Sequence, residues 1–118
     1  MYEVTIEQSG DFRSFIKSVV VVANGTQLKD GATGESLASP VILSDEELAV
    51  EKVTLTTTGK AIEFAVSGSV VDGEVGVVNE PMQWVVTVYK NGKEIEKKSL
   101  SFRDGKEIGM DDLNLYYN

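Results

Sequence analysis

The sequence predicts an antiparallel β-sandwich, and three observations support this fold class. Short segments alternate between apolar and polar side chains, which is typical of strands with one buried face. Turn signals such as Asn91-Gly92 separate about eight to ten such segments, at spacings of about 8–12 residues. Two independent turn signals, Gly59-Lys60 and Asp72-Gly73, place the apolar residues around Phe64 on one common face, which is the consistency expected of a folding sequence.

Length and charge limit the possible classes of protein. With 118 residues, the chain predicts a single β-sandwich domain over residues 1–118, long enough to bury about two thirds of its unfolded surface. The net charge is −8, from 19 acidic and 11 basic residues, and the two halves of the chain share it evenly. Because nucleic acids and anionic membranes need a basic surface, neither is an expected partner.

Missing residue types exclude several kinds of site. The absence of cysteine excludes disulfides, thiolate nucleophiles and cysteine-ligated metals, and the absence of histidine removes the commonest general base and transition-metal ligand. No apolar run approaches the roughly 20 residues of a membrane span, so no membrane insertion is expected. No signal peptide is visible before the first strand-like segment, so Met1 is either a native start or stands in place of a removed leader.

The first two elements are predicted strands. In Tyr2–Gln8 the side chains of Tyr2, Val4 and Ile6 alternate with polar ones. The spacing of the apolar residues in 12–23 fits one face of a helix. The run of valines favours a strand instead, because β-branched side chains lose rotamer freedom in a helix. We expect a strand from about Ser14, with or without one preceding helical turn, that is buried on both sides at its valine end.

A hairpin and a helical turn are expected next. Thr26–Leu28 and Leu37–Leu43 flank the Gly-rich loop 29–35, and Pro40 favours an edge or irregular position for the second arm. Ser44-Asp-Glu-Glu47 has the spacing of a capping box, so a single helical turn is predicted near residues 44–49, with Leu48 packed under the sheet.

Two consecutive hairpins are predicted in the middle of the chain. A type II′ turn at Gly59-Lys60 would pair Leu55 with Phe64 and Val53 with Val66, with Ile62 on the same inward face. A type I′ turn at Asp72-Gly73 would then place Val70 opposite Val75 and Gly68 opposite Val77.

A third hairpin is predicted around Asn91-Gly92, between Gln83–Lys90 and Lys93–Phe102. Trp84, Val86 and Val88 would line its inner face. Its expected pairs are Tyr89 with Glu94, Val88 with Ile95, and Val85 with Lys98. The charged second arm is typical of an edge strand, and Leu113–Tyr117 is a candidate last strand.

Part of the sequence resembles immunoglobulin-like domains. Val86–Ile95 with Trp84 just ahead resembles the hairpin that follows their core tryptophan, and Gly59–Gly68 resembles the preceding core strand. The chain departs from that pattern in lacking cysteines and in its additional Asp72-Gly73 turn. It is also similar to small β-sandwich proteins that gut bacteria export or lipid-anchor to their surface. These resemblances imply adhesion or scaffolding outside the cytoplasm, although fold alone does not determine function.

Acidic residues are the candidates for catalysis and for metal binding. The pairs Glu46/Glu47 and Asp111/Asp112 could serve a carboxylate-dependent glycoside hydrolase, but a capping or solvated role explains them. Calcium is the one metal to consider, because six acids occupy Gly-containing loops: Asp30, Glu35, Asp72, Glu74, Asp104 and Glu107. No Asp-x-Asp-x-Asp-Gly loop is present, and turn geometry already explains Asp-Gly. No metal or cofactor is therefore predicted, and calcium binding by an acidic loop is left open.

Three tyrosines are the candidate partner-binding residues. Trp84 is assigned to the core, whereas Tyr89, Tyr116 and Tyr117 have the apolar body and polar tip favoured at interfaces. The predicted function is a non-enzymatic interaction or structural module, surface-exposed or secreted, with a protein or glycan partner. The alternatives are a subunit of a phage or appendage assembly, joined through strand edges, and a small glycoside hydrolase. The oligomeric state is not predicted.

Overall fold

The predicted all-β class is confirmed in the computed structural model, which describes residues 1–10, 12, 16–37, 39–44, 47–71, 82–102 and 113–117. All the strand pairs in this part of the chain are antiparallel. The strands are β1 (Tyr2–Ser9), β2 (Ile16–Asn24), β3 (Leu28–Asp30), β4 (Ser36–Leu37), β5 (Val41–Leu43), β6 (Lys52–Thr57), β7 (Glu63–Val71), β8 (Met82–Lys90), β9 (Lys93–Phe102) and β10 (Leu113–Tyr117). None of the described residues forms a helix long and apolar enough to cross a membrane.

The strands form two sheets that face each other across one core. The larger sheet has the order β4-β3-β6-β1-β8-β9, and the smaller has the order β10-β7-β2-β5. The alternation of β1 is confirmed, because Tyr2, Val4 and Ile6 are all buried. The Tyr2 ring lies parallel to that of Phe64 in the opposite sheet, with the ring centroids 5.0 Å apart. Trp84 is fully buried, as predicted.

The predicted hairpin at Gly59-Lys60 is wrong. Its two arms, β6 and β7, belong to different sheets, and the chain crosses between them after Thr57. Ile62 is 71% exposed instead of facing inward. Gly59 is also not among the described glycines with positive φ, as a type II′ turn requires. Leu55 and Phe64 are both buried as expected, because alternation determines which side chains face inward but not whether two strands pair or stack.

The second predicted hairpin is also not formed as proposed. Val75, Val77 and the Asp72-Gly73 turn lie outside the described residues, but Gly68 pairs with Val19 on one side and Leu113 on the other. Both edges of β7 are therefore occupied at Gly68, and no pair with Val77 can form. A Cβ atom at this position would lie 2.9 Å from Leu113 Cδ2 and 3.1 Å from a Trp84 ring carbon, so tight packing accounts for glycine here.

The third hairpin is confirmed, with a register shift that the sequence did not predict. Asn91 and Gly92 have φ of 54° and 83°, and Tyr89 pairs with Glu94. An irregularity between Val88 and Tyr89 then moves the pairing by one residue. As a result, Val88 faces Glu96 instead of Ile95, and Val85 faces Ser99 instead of Lys98. The charged β9 is an edge strand, as expected.

The remaining strand predictions are confirmed in part. Residues 16–24 form the expected strand, but burial on both sides of its valine end is wrong, because Val19, Val21 and Ala23 are buried whereas Val20 and Val22 are only half-buried. The predicted start near Ser14 lies outside the described residues. Leu28 pairs with Leu37 as expected, but the predicted arm Leu37–Leu43 is divided, because β4 pairs with β3 in the larger sheet and β5 pairs with β2 in the smaller one. Both β4 and β5, on either side of Pro40, are edge strands, as expected.

A buried amide joins the core to the segment that precedes β6. The Gln8 side chain accepts a hydrogen bond from Trp84 Nε1 at 2.8 Å and donates to the carbonyl oxygens of Leu48 at 2.9 Å and Val50 at 2.7 Å. Gln8 is only 5% exposed, and Trp84 and Leu48 are fully buried, so the amide, the indole N–H and the Leu48 carbonyl have little access to water, whereas Val50 is half exposed. The amide therefore satisfies polar groups that would otherwise be costly to bury.

We expect the Gln8→Leu variant to lose about 2–4 kcal/mol of unfolding free energy, because the buried Trp84 indole N–H loses the Gln8 acceptor and the buried Leu48 carbonyl loses the Gln8 donor. Gln83→Leu is the matched control, since Gln83 is exposed on the adjacent strand β8. It should change the unfolding free energy by less than about 0.5 kcal/mol. Urea denaturation of both variants measures the difference, and equal losses would contradict the role assigned to Gln8.

Candidate functional site

One end of the sandwich collects the ends of strands from both sheets. In the larger sheet Ser9 pairs with Gln83, and Met82 pairs with Phe102. In the smaller sheet Ile16 pairs with Val71, the last residue of β7. The chain therefore leaves and re-enters the sheets at this end through four connecting segments. These segments, which we call the acidic pole, are residues 10–15, 44–51, 72–81 and 103–112.

The acidic pole carries essentially all of the net charge. Its four segments contain twelve of the 19 acidic residues and three of the 11 basic residues. The rest of the chain is nearly neutral, with seven acidic and eight basic residues. The structure determines which strand ends these segments join, and the sequence determines their charge. The acids are evenly distributed along the chain, but most of them belong to the segments that join strand ends at one end of the fold.

The six candidate calcium ligands are divided between the acidic pole and a separate hairpin. Asp72, Glu74, Asp104 and Glu107 belong to the acidic pole and lie outside the described residues. Asp30 and Glu35 belong to the β3–β4 hairpin, where Asp30 Oδ1 accepts from the backbone N–H groups of Ala32 at 2.8 Å and Thr33 at 3.3 Å. Asp30 thus stabilises its own turn. Within the described ranges, no three acidic residues form a group suited to a metal ion.

The predicted capping interaction at Ser44 is present. Ser44 Oγ donates to Glu47 Oε2 at 2.6 Å, and the Ser44 backbone N–H donates to the same oxygen at 3.1 Å. The Leu48 N–H bonds to the Ser44 carbonyl at 2.9 Å, and Leu48 is fully buried as predicted. The Ser44 hydroxyl, helped by backbone N–H donors, lowers the pKa of Glu47. Glu47 is thereby engaged in a structural bond.

The acid pairs considered for catalysis receive no support. Glu46, Asp111 and Asp112 lie outside the described residues, and Glu47 bonds to Ser44. The pair predictions are therefore untested, except that Glu47 already has a structural partner.

The three candidate tyrosines lie on different surfaces. Tyr89 is half-buried beside the β8–β9 turn, whereas Tyr116 is 56% exposed on β10. Tyr117 points the opposite way along β10, stacks on Tyr2 at 5.9 Å and donates from its hydroxyl to Glu96 Oε1 at 2.6 Å. Burial and then the Glu96 carboxylate raise the pKa of Tyr117. These residues form no common patch, and their role in partner binding remains a prediction.

The sequence reasoning missed a buried lysine next to the acidic pole. Lys17 is 4% exposed, and its ammonium group donates to the carbonyl oxygens of Phe12 and Leu48. The sequence contains a signal that could have revealed this lysine, because the alternation of side chains along β2 puts Lys17 on the same face as Val19 and Val21. A lysine on an inward-facing position requires polar partners.

The chain matches the model of one protein family and is similar to solved structures of bacterial proteins, in sequence or in fold. A family model described as "PLAT/LH2 and C2-like Ca2+-binding lipoprotein" matches residues 1–116. A protein from Parabacteroides distasonis, solved in its calcium-bound form, is 95% identical. The match covers 99% of this chain and 91% of that one, with a TM-score of 0.91. No curated protein matches the chain significantly.

Two more distant bacterial structures share the fold. A domain of unknown function from Bacteroides vulgatus is 22% identical, and the match covers 98% of this chain and 88% of that one with a TM-score of 0.71. A protein from Bacteroides ovatus is 18% identical, with 98% and 90% coverage and a TM-score of 0.72. The resemblance to immunoglobulin-like domains is therefore supported only as far as the β-sandwich, whereas the resemblance to lipid-anchored bacterial proteins agrees with the family description.

The Glu47 bond should appear in the pH dependence of stability. A carboxyl group whose pKa is lower in the folded protein stabilises it above the ordinary value of 4.5, and this contribution is lost as the pH falls through the lowered pKa. We therefore expect Glu47→Gln to be less stable than the wild type at pH 7, with a smaller gap at pH 3. Thermal denaturation at both pH values measures the gap. The control repeats the comparison in the Ser44→Ala background. There the stability difference at pH 7 caused by Glu47→Gln should shrink, because the Ser44 hydroxyl, the main donor to Glu47, is gone.

Proposed function

Because the chain belongs to the family of PLAT/LH2 and C2-like Ca2+-binding lipoproteins, we propose that it is a non-enzymatic calcium-binding module. The observation that carries this proposal is the 95% identity to the Parabacteroides distasonis protein solved in its calcium-bound form. The charge distribution supports the acidic pole as the place where calcium binds. From sequence alone no metal was predicted, because turn geometry was sufficient to explain the Asp-Gly loops, and calcium binding by an acidic loop was left open.

The donor chemistry of the acidic pole fits calcium. Calcium takes about six to eight oxygen ligands, most of them from carboxylates and backbone carbonyls. The pole supplies twelve carboxylates, and no cysteine or histidine competes to attract a softer metal. We propose that the ligands come from two segments, 72–81 and 103–112, with Asp72, Glu74, Asp104 and Glu107 as the first candidates.

The topology suggests what the ion would do for the protein. Segment 72–81 runs from β7 in the smaller sheet to β8 in the larger one, and segment 103–112 returns from β9 to β10. An ion held by both segments would link the two sheets at one end and reduce repulsion among the carboxylates. A ligand that binds only the folded form raises its stability according to its concentration and affinity.

An extracytoplasmic location is consistent with this function. The family description includes lipoproteins, and calcium-binding modules outside cells typically work at dissociation constants of about 10⁻⁴–10⁻³ M. A protein or glycan partner remains the proposed target, with Tyr116 as the most exposed of the candidate tyrosines. The alternative of an assembly joined through strand edges is disfavoured at β9, where a cluster of charged side chains opposes sheet-to-sheet pairing.

Calcium titration followed by calorimetry tests the proposal. We expect saturable binding by the wild type and a loss of affinity of about tenfold or more in Asp72→Asn and in Asp104→Asn, since each variant removes a charged oxygen ligand. Asp30→Asn and Glu35→Gln are the matched controls, because they remove the same charge from the β3–β4 hairpin outside the acidic pole. Absence of calcium binding by the wild type would refute the function, and loss of binding only in the hairpin variants would refute the location.

A further inference from the structure

An open cleft lies at the end of the sandwich where β1 and β9 begin and β8 ends. Its volume is about 920 Å³, and it is bordered by the start of β1, the crossing from β6 to β7 and the β8–β9 turn. Its apolar lining comes from Met1, Tyr2, Ala61 and Ile62. Small-molecule sites are concave, largely apolar and of a volume in this range.

A rigidly held apolar side chain projects at the border of this cleft. Ile62 is 71% exposed, which is more than any other large apolar side chain of the described residues. Its backbone N–H donates to the Asn24 carbonyl oxygen at 2.7 Å. Its side chain packs over Gly25, where a Cβ atom would lie 3.0 Å from Ile62 Cγ1. Ile62 is therefore fixed by its contacts in a position that leaves most of its surface in water.

The Tyr2 wall of the cleft is also fixed. The Tyr2 ring stacks on Phe64 with the ring centroids 5.0 Å apart, and on Tyr117 with the centroids 5.9 Å apart. The backbone N–H of Asn91 donates to the Met1 carbonyl oxygen at 2.8 Å, which joins the start of β1 to the β8–β9 turn. Because these groups are already ordered, a ligand would lose little affinity to the cost of ordering them.

Among the described residues, the charged side chains that line the cleft are both positive. They are the ammonium groups of Lys60 and Lys90, and Lys90 Nζ lies 5.5 Å from the centre of the Tyr2 ring. The aromatic face favours the ammonium group at this place. The cleft therefore combines a fixed apolar surface with two cations.

Three acids are close in sequence to the lining residues but do not line the cleft: Glu3, Glu63 and Glu94. Alternation puts Glu3 on the outer face of the larger sheet. Glu94 shares that face, because it pairs with Tyr89, which pairs with Glu3. Glu63 accepts from the side-chain amide of Asn24 at 3.1 Å. More distant acids have little effect here, because the molecule is 42 Å long and salt screens exposed charges over about 8 Å.

We propose that this cleft binds a single-chain amphipathic anion, which is an aliphatic chain that ends in a carboxylate. The chain packs against Ile62 and Tyr2, and the carboxylate pairs with the ammonium groups of Lys60 and Lys90. The apolar surface selects for the chain and the two cations select for the anion, so the pair of features distinguishes this ligand from a simple anion or a cationic amphiphile. This inference goes beyond the calcium function and does not depend on it.

The first test uses dodecanoate below its micelle concentration, with binding followed by calorimetry and by the NMR shifts of the Ile62 methyl groups. EDTA is present, because calcium precipitates long-chain carboxylates. We expect saturable binding that shifts the Ile62 signals. Butanoate has the same carboxylate on a short chain, and dodecyltrimethylammonium has the same chain with the opposite charge. Each should bind at this site at least about tenfold more weakly, and equal binding of either at Ile62 would overturn the proposal.

The second test compares Ile62→Ser with Ile42→Ser. Ile42 is the matched control because it is 62% exposed and lies beside a different apolar cleft, which Asp30 and Glu47 also line with carboxylates that repel an anion. We expect Ile62→Ser to weaken dodecanoate binding about tenfold, because apolar contact area is lost, and Ile42→Ser to change it by less than about twofold. Both variants should unfold in urea close to the wild type, since exposed side chains contribute little to stability. Equal effects of the two substitutions on binding would overturn the location.

The third test removes the positive charges. Lys60→Gln and Lys90→Gln should each weaken dodecanoate binding by about three- to fivefold, because each removes an exposed ion pair. Lys52→Gln is the matched control, since Lys52 is exposed at the far end of β6 and lines the second cleft. An unchanged affinity in both Lys60→Gln and Lys90→Gln would overturn the role of the cations.

A vesicle measurement distinguishes a free ligand from a lipid surface. Vesicles of phosphatidylglycerol and phosphatidylcholine present the same combination of chains and negative charge, but as a bilayer. We expect the Ile62 signals to respond to dodecanoate and not to these vesicles. A response to the vesicles without binding of dodecanoate would overturn the proposal in favour of a membrane contact. None of these outcomes alters the calcium titration, so the two functions can fail separately.

Discussion

The Leu48 carbonyl oxygen is the point at which segment 44–51 is tied to the core. It accepts one hydrogen bond from the Gln8 amide and a second from the Lys17 ammonium group, so both of its acceptor positions are used. Through Gln8 it is connected to the buried indole of Trp84. Segment 44–51 is thereby held against the core by buried polar bonds, whose loss is more costly than that of exposed ones.

This arrangement allows a strongly charged end on an otherwise nearly neutral sandwich. Outside the acidic pole, seven acidic and eight basic residues nearly cancel. The apolar core between the sheets supplies stability through buried residues such as Phe64, Trp84 and Leu55, and Phe12 and Leu48 connect two of the charged segments to it. A fold of this kind can concentrate carboxylates at one end, where a bound cation would offset their repulsion.

The sequence predicted most of the strands but not their arrangement. Leu55 and Phe64 were correctly placed on dry faces, yet they lie in opposite sheets instead of being paired neighbours. A period of two residues reports the inward face of a strand and contains no information about the sheet to which it belongs. The Asn91-Gly92 turn succeeded where Gly59-Lys60 failed, because positive φ at Asn91 and Gly92 specifies a two-residue hairpin locally. The shift after Val88 could not be predicted, since alternation does not reveal an extra residue in a partner strand.

The sequence by itself determined the antiparallel class, the inward faces of most strands, the Ser44–Glu47 cap and the absence of histidine and cysteine chemistry. All of these depend on residue type or on neighbours within a few positions. Only the tertiary structure decided that the strands flanking these four segments end on one side of the fold and that Lys17 is buried there against the carbonyl oxygens of Phe12 and Leu48. The physical reason is that these features come from pairing between strands far apart in the chain, such as Ile16 with Val71 and Met82 with Phe102.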